Sequence, residues 1–153
     1  VPGLQRGPSP MIDTAQLLQE LTDCLDWLSH HCAPQTMQAC VQDIAFAGDG
    51  EPTTSPQFAE ILHNLIQILQ QRRPHDRPVY VRLITNGSQL QHAHVQHALK
   101  RLNEIGGEVW FKLDAGTEAE MLAINDTHLP LSLHLQRLQT CCQLCTTWVQ
   151  TAV

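Results

Sequence analysis

Residues 44–54 read Ile-Ala-Phe-Ala-Gly-Asp-Gly-Glu-Pro-Thr-Thr, an apolar run that ends abruptly in two glycines, two acids and a proline. A short apolar run with such punctuation is the pattern of a buried strand and the loop that follows it. Gly48 and Gly50 permit either a backbone of positive φ or the close approach of a ligand. Pro52 has no N–H and fixes its own φ, so the run does not continue as a central strand. Glu51 is left at the carboxyl end of that strand, the edge at which open and closed α/β sheets bind their ligands.

Outward from this point the chain alternates strand-like and helix-like segments. Upstream, Asp13 is placed to cap a helix, with Gln16 at the reciprocal position of a capping box. Leu17, Leu18, Leu21, Leu25 and Leu28 follow at helical spacing. The first strand is predicted over 43–47. After Pro56, residues Phe58, Ile61, Leu62, Leu65, Ile66 and Leu69 define one broad helical face. Pro74 and Pro78 end that helix ahead of a second strand over 79–84. Thr85-Asn86-Gly87-Ser88 turns into a helix bearing Leu90, Val95, Ala98, Leu99 and Leu102, which Gly106-Gly107 terminates by C-cap chemistry. A third strand is predicted over 108–113, then the loop Asp114-Ala115-Gly116-Thr117. Thr117 with Glu120 caps a short helix through Ile124, another helix spans about 131–144, and a strand-like run over 147–153 closes the chain.

Strands separated by single helices are the rhythm of consecutive βα units with right-handed crossovers. The predicted fold class is therefore α/β with a parallel sheet. Three strands end in small or polar residues: Gly-Asp-Gly-Glu-Pro, Thr-Asn-Gly-Ser and Asp-Ala-Gly-Thr. In a parallel sheet these loops leave the same edge, so they are either ordinary caps and turns or one ligand site built from three adjacent strand ends.

Composition narrows the class. The 153 residues suit one domain, and 42% apolar with 16% charged residues describe an ordinary globular chain. The net charge of −6 does not favour a nucleic-acid backbone as partner. Arg72, Arg73 and Arg77 read as a solvated loop. No stretch approaches the ~18 apolar residues of a membrane helix, and the N-terminus has no apolar signal core. The first residue is Val1 and the first methionine Met11, within a Pro/Gly-rich stretch, while the chain ends in an apparent core strand. These ends are expected of a fragment: 1–12 as a linker-like segment and 13–153 as a partial domain truncated at both ends.

Three segments match a known series in its known order. Phe46-Ala47-Gly48-Asp49-Gly50-Glu51-Pro52-Thr53 resembles the Gly-Glu-Pro motif on the second strand of radical S-adenosylmethionine enzymes. Leu83-Ile84-Thr85-Asn86-Gly87-Ser88 resembles the Thr-Asn-Gly that ends their third strand. Val109-Trp110-Phe111-Lys112-Leu113-Asp114-Ala115, with Thr117-Glu118 and Ile124-Asn125 behind it, is similar to the fourth-strand segment of one branch: iron–sulfur oxidoreductases related to tRNA wyosine-synthesis enzymes. Val149-Gln150-Thr151 fits the fifth strand there. The resemblance covers roughly residues 40–153.

The resemblance implies part of an incomplete (β/α)6 TIM-like barrel. It also implies an enzyme in which a reduced 4Fe-4S cluster cleaves S-adenosylmethionine to a 5′-deoxyadenosyl radical that abstracts hydrogen from substrate. Gly48, Asp49, Gly50, Glu51 and Pro52 would hold the methionine moiety, its ammonium accepted by backbone carbonyls of the exposed strand edge and by the Glu51 carboxylate. Asn86 and Asp114 would meet ribose, adenine or substrate. An RNA substrate is implied by family association alone, and the cellular location is expected to be cytoplasmic.

The chain departs from that pattern in its cysteines. The cluster requires Cys-x3-Cys-x2-Cys ahead of residue 48, whereas this region has Cys24, Cys32 and Cys40, spaced eight apart. Cys24 reads as a small apolar residue of the first helix, and Cys32 and Cys40 as incidental thiols. The cluster ligands are thus expected upstream of Val1, the chain alone is expected to be inactive, and no residue is assigned as catalytic or as a metal ligand. Cys141 and Cys145 share a helical face with Cys142 beside them, a set that reads as core positions or a redox pair ahead of a zinc site. Free thiols without a signal sequence fit a reducing compartment. His92, His94 and His97 read as surface residues, of which at most His94 and His97 are neighbours. The alternative to an enzyme part is a non-catalytic α/β interaction module that has lost its cluster site. A Cys-x3-Cys-x2-Cys in the reading frame just upstream of Val1 separates the two.

Overall fold

The computed structural model describes residues 11–31, 41–48, 50–72 and 79–151. The element order is α1 (Thr14–His31), β1 (Asp43–Phe46), a 3-10 turn (Pro52–Thr54), α2 (Phe58–Arg72), β2 (Tyr80–Thr85), α3 (Ala93–Glu104), β3 (Glu108–Lys112), α4 (Glu118–Asn125), α5 (Leu131–Leu144) and β4 (Thr147–Gln150). The strands form one sheet in the order β1-β2-β3-β4, and every pairing is parallel. The α/β class with alternating βα units is therefore the observed architecture. Of the expected linker-like segment 1–12 only Met11 and Ile12 are described, and the described part of the expected domain 13–153 ends at Thr151.

Because side chains alternate along a strand, the sheet has two unlike faces. Val81, Leu83 and Thr85 of β2 and Val109 and Phe111 of β3 point to one face and are buried. Val81, Leu83, Val109 and Phe111 join Phe58, Leu62, Leu65 and Ile66 of α2, Val95, Ala98, Leu99 and Leu102 of α3, and Cys141 of α5 in a single core cluster. Helices thus cover this face. On the opposite face Arg82 pairs with Asp43 across β1–β2 and donates from Nε to Glu108 Oε2 at 3.1 Å across β2–β3. Its guanidinium lies 5.0 Å from the Trp110 ring centroid. Partial burial pushes the Glu108 carboxyl up. The hydrogen bonds from Arg82, Trp110 and Trp148, with the Arg82 charge, outweigh it and hold the group below the usual glutamate value.

Several details differ from expectation. Among the described strands β4 lies at the edge of the sheet, and its Trp148 and Val149 are 58% and 54% exposed, so Thr147–Gln150 is not a core strand. The leucine stripe of α1 meets α2 on one side only, and no residue of this helix is fully buried. Cys24, read as a small apolar position, is exposed on it. Asp13 does cap α1, accepting the Gln16 N–H at 3.0 Å, but the Gln16 side chain donates onward to Glu20 instead of closing the box. Leu90 is buried in the turn ahead of α3 rather than in the helix. Arg72 is the last residue of α2 and pairs with Asp26 of α1, not a solvated loop residue; Arg73 and Arg77 lie outside the described residues. Among the histidines it is His92 and His94 that stack, with ring centroids 5.6 Å apart. The Thr117 cap forms as read, its Oγ1 accepting the Glu120 N–H at 3.2 Å. Among the described residues no helix is long and apolar enough to cross a membrane.

Candidate functional site at the carboxyl edge of the sheet

The loops after β1, β2 and β3 leave the same edge of the sheet, as parallel pairing requires. At the first of them Glu51 is the N-cap of the 3-10 turn, with Pro52 at its first position, the place where a missing N–H costs nothing. Its carboxylate gathers donors from two loops. Oε1 accepts the Thr53 N–H at 3.2 Å, the Thr53 hydroxyl at 2.5 Å and the Thr85 hydroxyl at 2.6 Å. Oε2 accepts the Asn86 N–H at 2.8 Å. A carboxylate has about four lone-pair sites, so this one is largely occupied by the chain itself. Its remaining acceptor capacity is on Oε2. The Glu51 carbonyl is also taken, by the Thr54 N–H at 3.1 Å and the Thr54 hydroxyl at 2.6 Å.

The expected neighbours behave differently from one another. Neither Gly48 nor Gly50 has positive φ, and a Cβ built on either meets nothing within 4 Å. Pro52 begins the 3-10 turn, and Asp49 lies outside the described residues. Asn86 sits directly on the Glu51 clamp through its N–H, while its side-chain Oδ1 accepts the Ser88 N–H at 2.9 Å and shapes the turn. Gly87 does take positive φ, +70°, with its N–H bonded to Thr85 Oγ1 at 3.0 Å.

Asp114 lies apart from this cluster. It lines an open cleft of about 460 Å³ between the β3 loop, α4 and the end of β4, with Gly116, Glu120, Ile124, Val149 and Thr151. Below the cleft His134 of α5 is 5% exposed, stacks at 4.9 Å on Phe111, and donates from Nε2 to the Lys112 carbonyl at 3.0 Å. That bond leaves Nδ1 as the bare nitrogen, buried without a hydrogen-bond partner. Burial is the main cause holding its pKa below the usual histidine value, and the Arg137 charge adds to it. The Lys112 carbonyl and Asp114 oppose the shift.

Among the described residues the thiols do not form a cluster site. Cys141 in the last turn of α5 and Cys145, the extended C-cap residue just past it, are both buried, so the two do not share a helical face as expected; Cys145 Sγ lies 3.5 Å from the Gly107 carbonyl. Burial pushes Cys141 up to about 12 and Cys145 up to about 11, which disfavours the thiolate that metals bind. Cys142 is exposed, and Cys32 and Cys40 lie outside the described residues. Among the described residues no group of three His, Cys, Asp or Glu side chains converges for a metal ion.

Thr53, Thr85 and His134 are the residues that sequence reasoning passed over. A signal existed for Thr53, because Glu-Pro-Thr is a cap, a first helical proline and the amide that the cap accepts. Thr85 carried none, since its partner is 34 residues away. Comparison of the chain with known protein families, with curated proteins and with solved structures finds no match.

Proposed function

We propose that this chain is part of a radical S-adenosylmethionine enzyme, an iron–sulfur oxidoreductase, and that residues 48–52 hold the methionine end of S-adenosylmethionine. The observation that carries the reading is the pair of glycines ahead of Glu51. Glycine serves there either for positive φ or for close approach. Gly48 and Gly50 lack positive φ, and a Cβ built on either meets no described residue within 4 Å, which leaves room for the close approach of a bound group. Further support comes from the two motifs singled out by resemblance: they are hydrogen-bonded neighbours, Glu51 to Thr85 and Asn86. The unreversed strand order and the helices on one face agree with an arc of a (β/α)6 barrel, whereas a doubly wound sheet reverses its order.

The assignment of the ligand contacts follows from what is already taken. The Glu51 carbonyl and most of its carboxylate serve the chain, so the ammonium falls to the backbone acceptors of Gly48 and Gly50, with Oε2 of Glu51 as a further acceptor. Asn86 lies beside that position, and the cleft holding Asp114 lies one strand further along, where it would take the substrate or the adenosyl end. S-Adenosylmethionine supplies the radical chemistry when it is cleaved. The cluster that cleaves it does not fit the described thiols, two of which are buried with raised pKa values. Its ligands are assigned to a segment outside residues 1–153, in a cytoplasmic parent protein whose substrate, RNA included, the site chemistry leaves open.

Equilibrium dialysis of the full chain against S-adenosylmethionine tests the reading. Saturable binding that free methionine competes for is expected; a folded chain showing no saturable binding overturns it. After anaerobic reconstitution the chain is expected to retain no stable 4Fe-4S cluster, and stoichiometric iron and sulfide with a cluster absorption spectrum would contradict the assignment of the ligands elsewhere.

A further inference from the structure

We infer that Thr85 is a positioning residue that acts through Glu51, locking the turn that begins at Glu51 to the end of β2 so that the backbone acceptors of Gly48 and Gly50 ahead of it are held ready for a ligand. The inference rests on the reading above for the ligand, and on geometry alone for the lock.

Thr85 is 2% exposed and Thr53 4% exposed, so neither hydroxyl has access to water as an alternative partner. Buried polar groups of this kind are costly unless paired. The Thr85 hydroxyl has one proton, and it is committed to Glu51 Oε1 at 2.6 Å while the oxygen accepts the Gly87 N–H at 3.0 Å. Directionality is therefore fixed along Gly87 N–H to Thr85 to Glu51. Glu51 in turn receives the Thr53 and Asn86 amides, so one carboxylate joins the 3-10 turn after β1 to the turn after β2. β1 and β2 are adjacent in the sheet, with Phe46 opposite Leu83. Past that pair β1 ends while β2 runs on to Thr85, and the clamp continues the connection between them by side chains. Hydrogen bonds to an ionised acceptor are the stronger class, and a ligand held by loop carbonyls gains most when the loop is ordered beforehand. A side chain that contacted the ligand directly would need free acceptor capacity, and most of the capacity of Glu51 faces inward.

The test uses the full chain with Thr85→Val, which keeps shape and removes the hydroxyl, and Thr85→Ser, which keeps the hydroxyl. Glu51→Gln and the Thr85→Val/Glu51→Gln double variant complete a cycle. Amide exchange at Thr53 and Asn86 reads the lock; dialysis against S-adenosylmethionine reads its consequence. Thr85→Val is expected to speed exchange at both amides and weaken binding about tenfold, with Thr85→Ser close to wild type and the double variant far from additive. Wild-type exchange in Thr85→Val, or equal effects of Val and Ser, would overturn the lock. Altered exchange with unchanged affinity would overturn the positioning role. If the wild-type chain itself shows no binding, the ligand reading falls while exchange and the cycle still judge the lock.

Discussion

At the scale of single residues the two kinds of glycine make opposite predictions. Gly87 has φ of +70°, and a Cβ there would lie 2.5 Å from Phe111 Cε2. The ring is packed in the core with 0% exposure and has nowhere to retreat. Gly87→Ala is therefore expected to destabilise the fold by about 2–4 kcal/mol, combining left-handed strain with overpacking. Gly48 has neither constraint, so Gly48→Ala should leave stability within about 0.5 kcal/mol of wild type. If the loop holds S-adenosylmethionine, the same methyl group obstructs the approach and lowers affinity. Urea unfolding alongside dialysis separates the two effects, and a Gly48→Ala protein that binds as well as wild type removes the principal support for the ligand site.

At the scale of elements, three strands are tied by one side chain on the face opposite the core cluster. Arg82 of β2 reaches Asp43 of β1 and Glu108 of β3, at 25% side-chain exposure. Replacing it leaves two acidic groups without their cation and removes the stacking on Trp110. Arg82→Ala is expected to cost about 1–3 kcal/mol, and Arg82→Lys to recover only part, because an ammonium does not reproduce the fork of the guanidinium. The junction of α5 with β3 carries a pH dependence. His134 is held neutral by burial, with its folded pKa below the unfolded value of about 6.5. Between those two values the unfolded chain binds more protons, so stability is full above pH ~6.5 and falls as pH drops below it. Denaturation midpoints measured from pH 7.5 down to 5.5 should decline in wild type and decline less in His134→Gln. Equal slopes in the two proteins would assign the pH response elsewhere. Glu108, with its pKa lowered, contributes stability that is lost only at more acid pH, below the unfolded glutamate value near 4.3.

At the scale of the whole molecule, burial is concentrated in β2, β3, α2 and α3, while α1 has no fully buried residue. It is tied to the rest by reciprocal bonds between Ile12 and Gln57, by Leu21 and by the partly exposed Asp26–Arg72 pair. Partly exposed ion pairs contribute little. Amide exchange should therefore be fastest in α1 and slowest in β2, β3 and α3; α1 protected as strongly as α3 would contradict this distribution. The order of elements was legible in the sequence, because helical stripes, caps and prolines act within a few residues of one another. Thr117 capping through Glu120 and the positive φ of Gly106 after α3 are examples read correctly from local chemistry. The loop at Glu51 was legible as the end of a strand, but not the use of Glu51 within it. That role depends on Thr85 and Asn86 arriving from a second strand, as the burial of His134 depends on α5 crossing β3. Sequence by itself determined the alternation of strands and helices and the residues at the strand ends, since both follow from short-range periodicity and turn chemistry. Only the tertiary structure decided which of those residues meet, which face of the sheet is covered and which acceptors remain free. Register between strands dozens of residues apart is set by packing of the whole sheet.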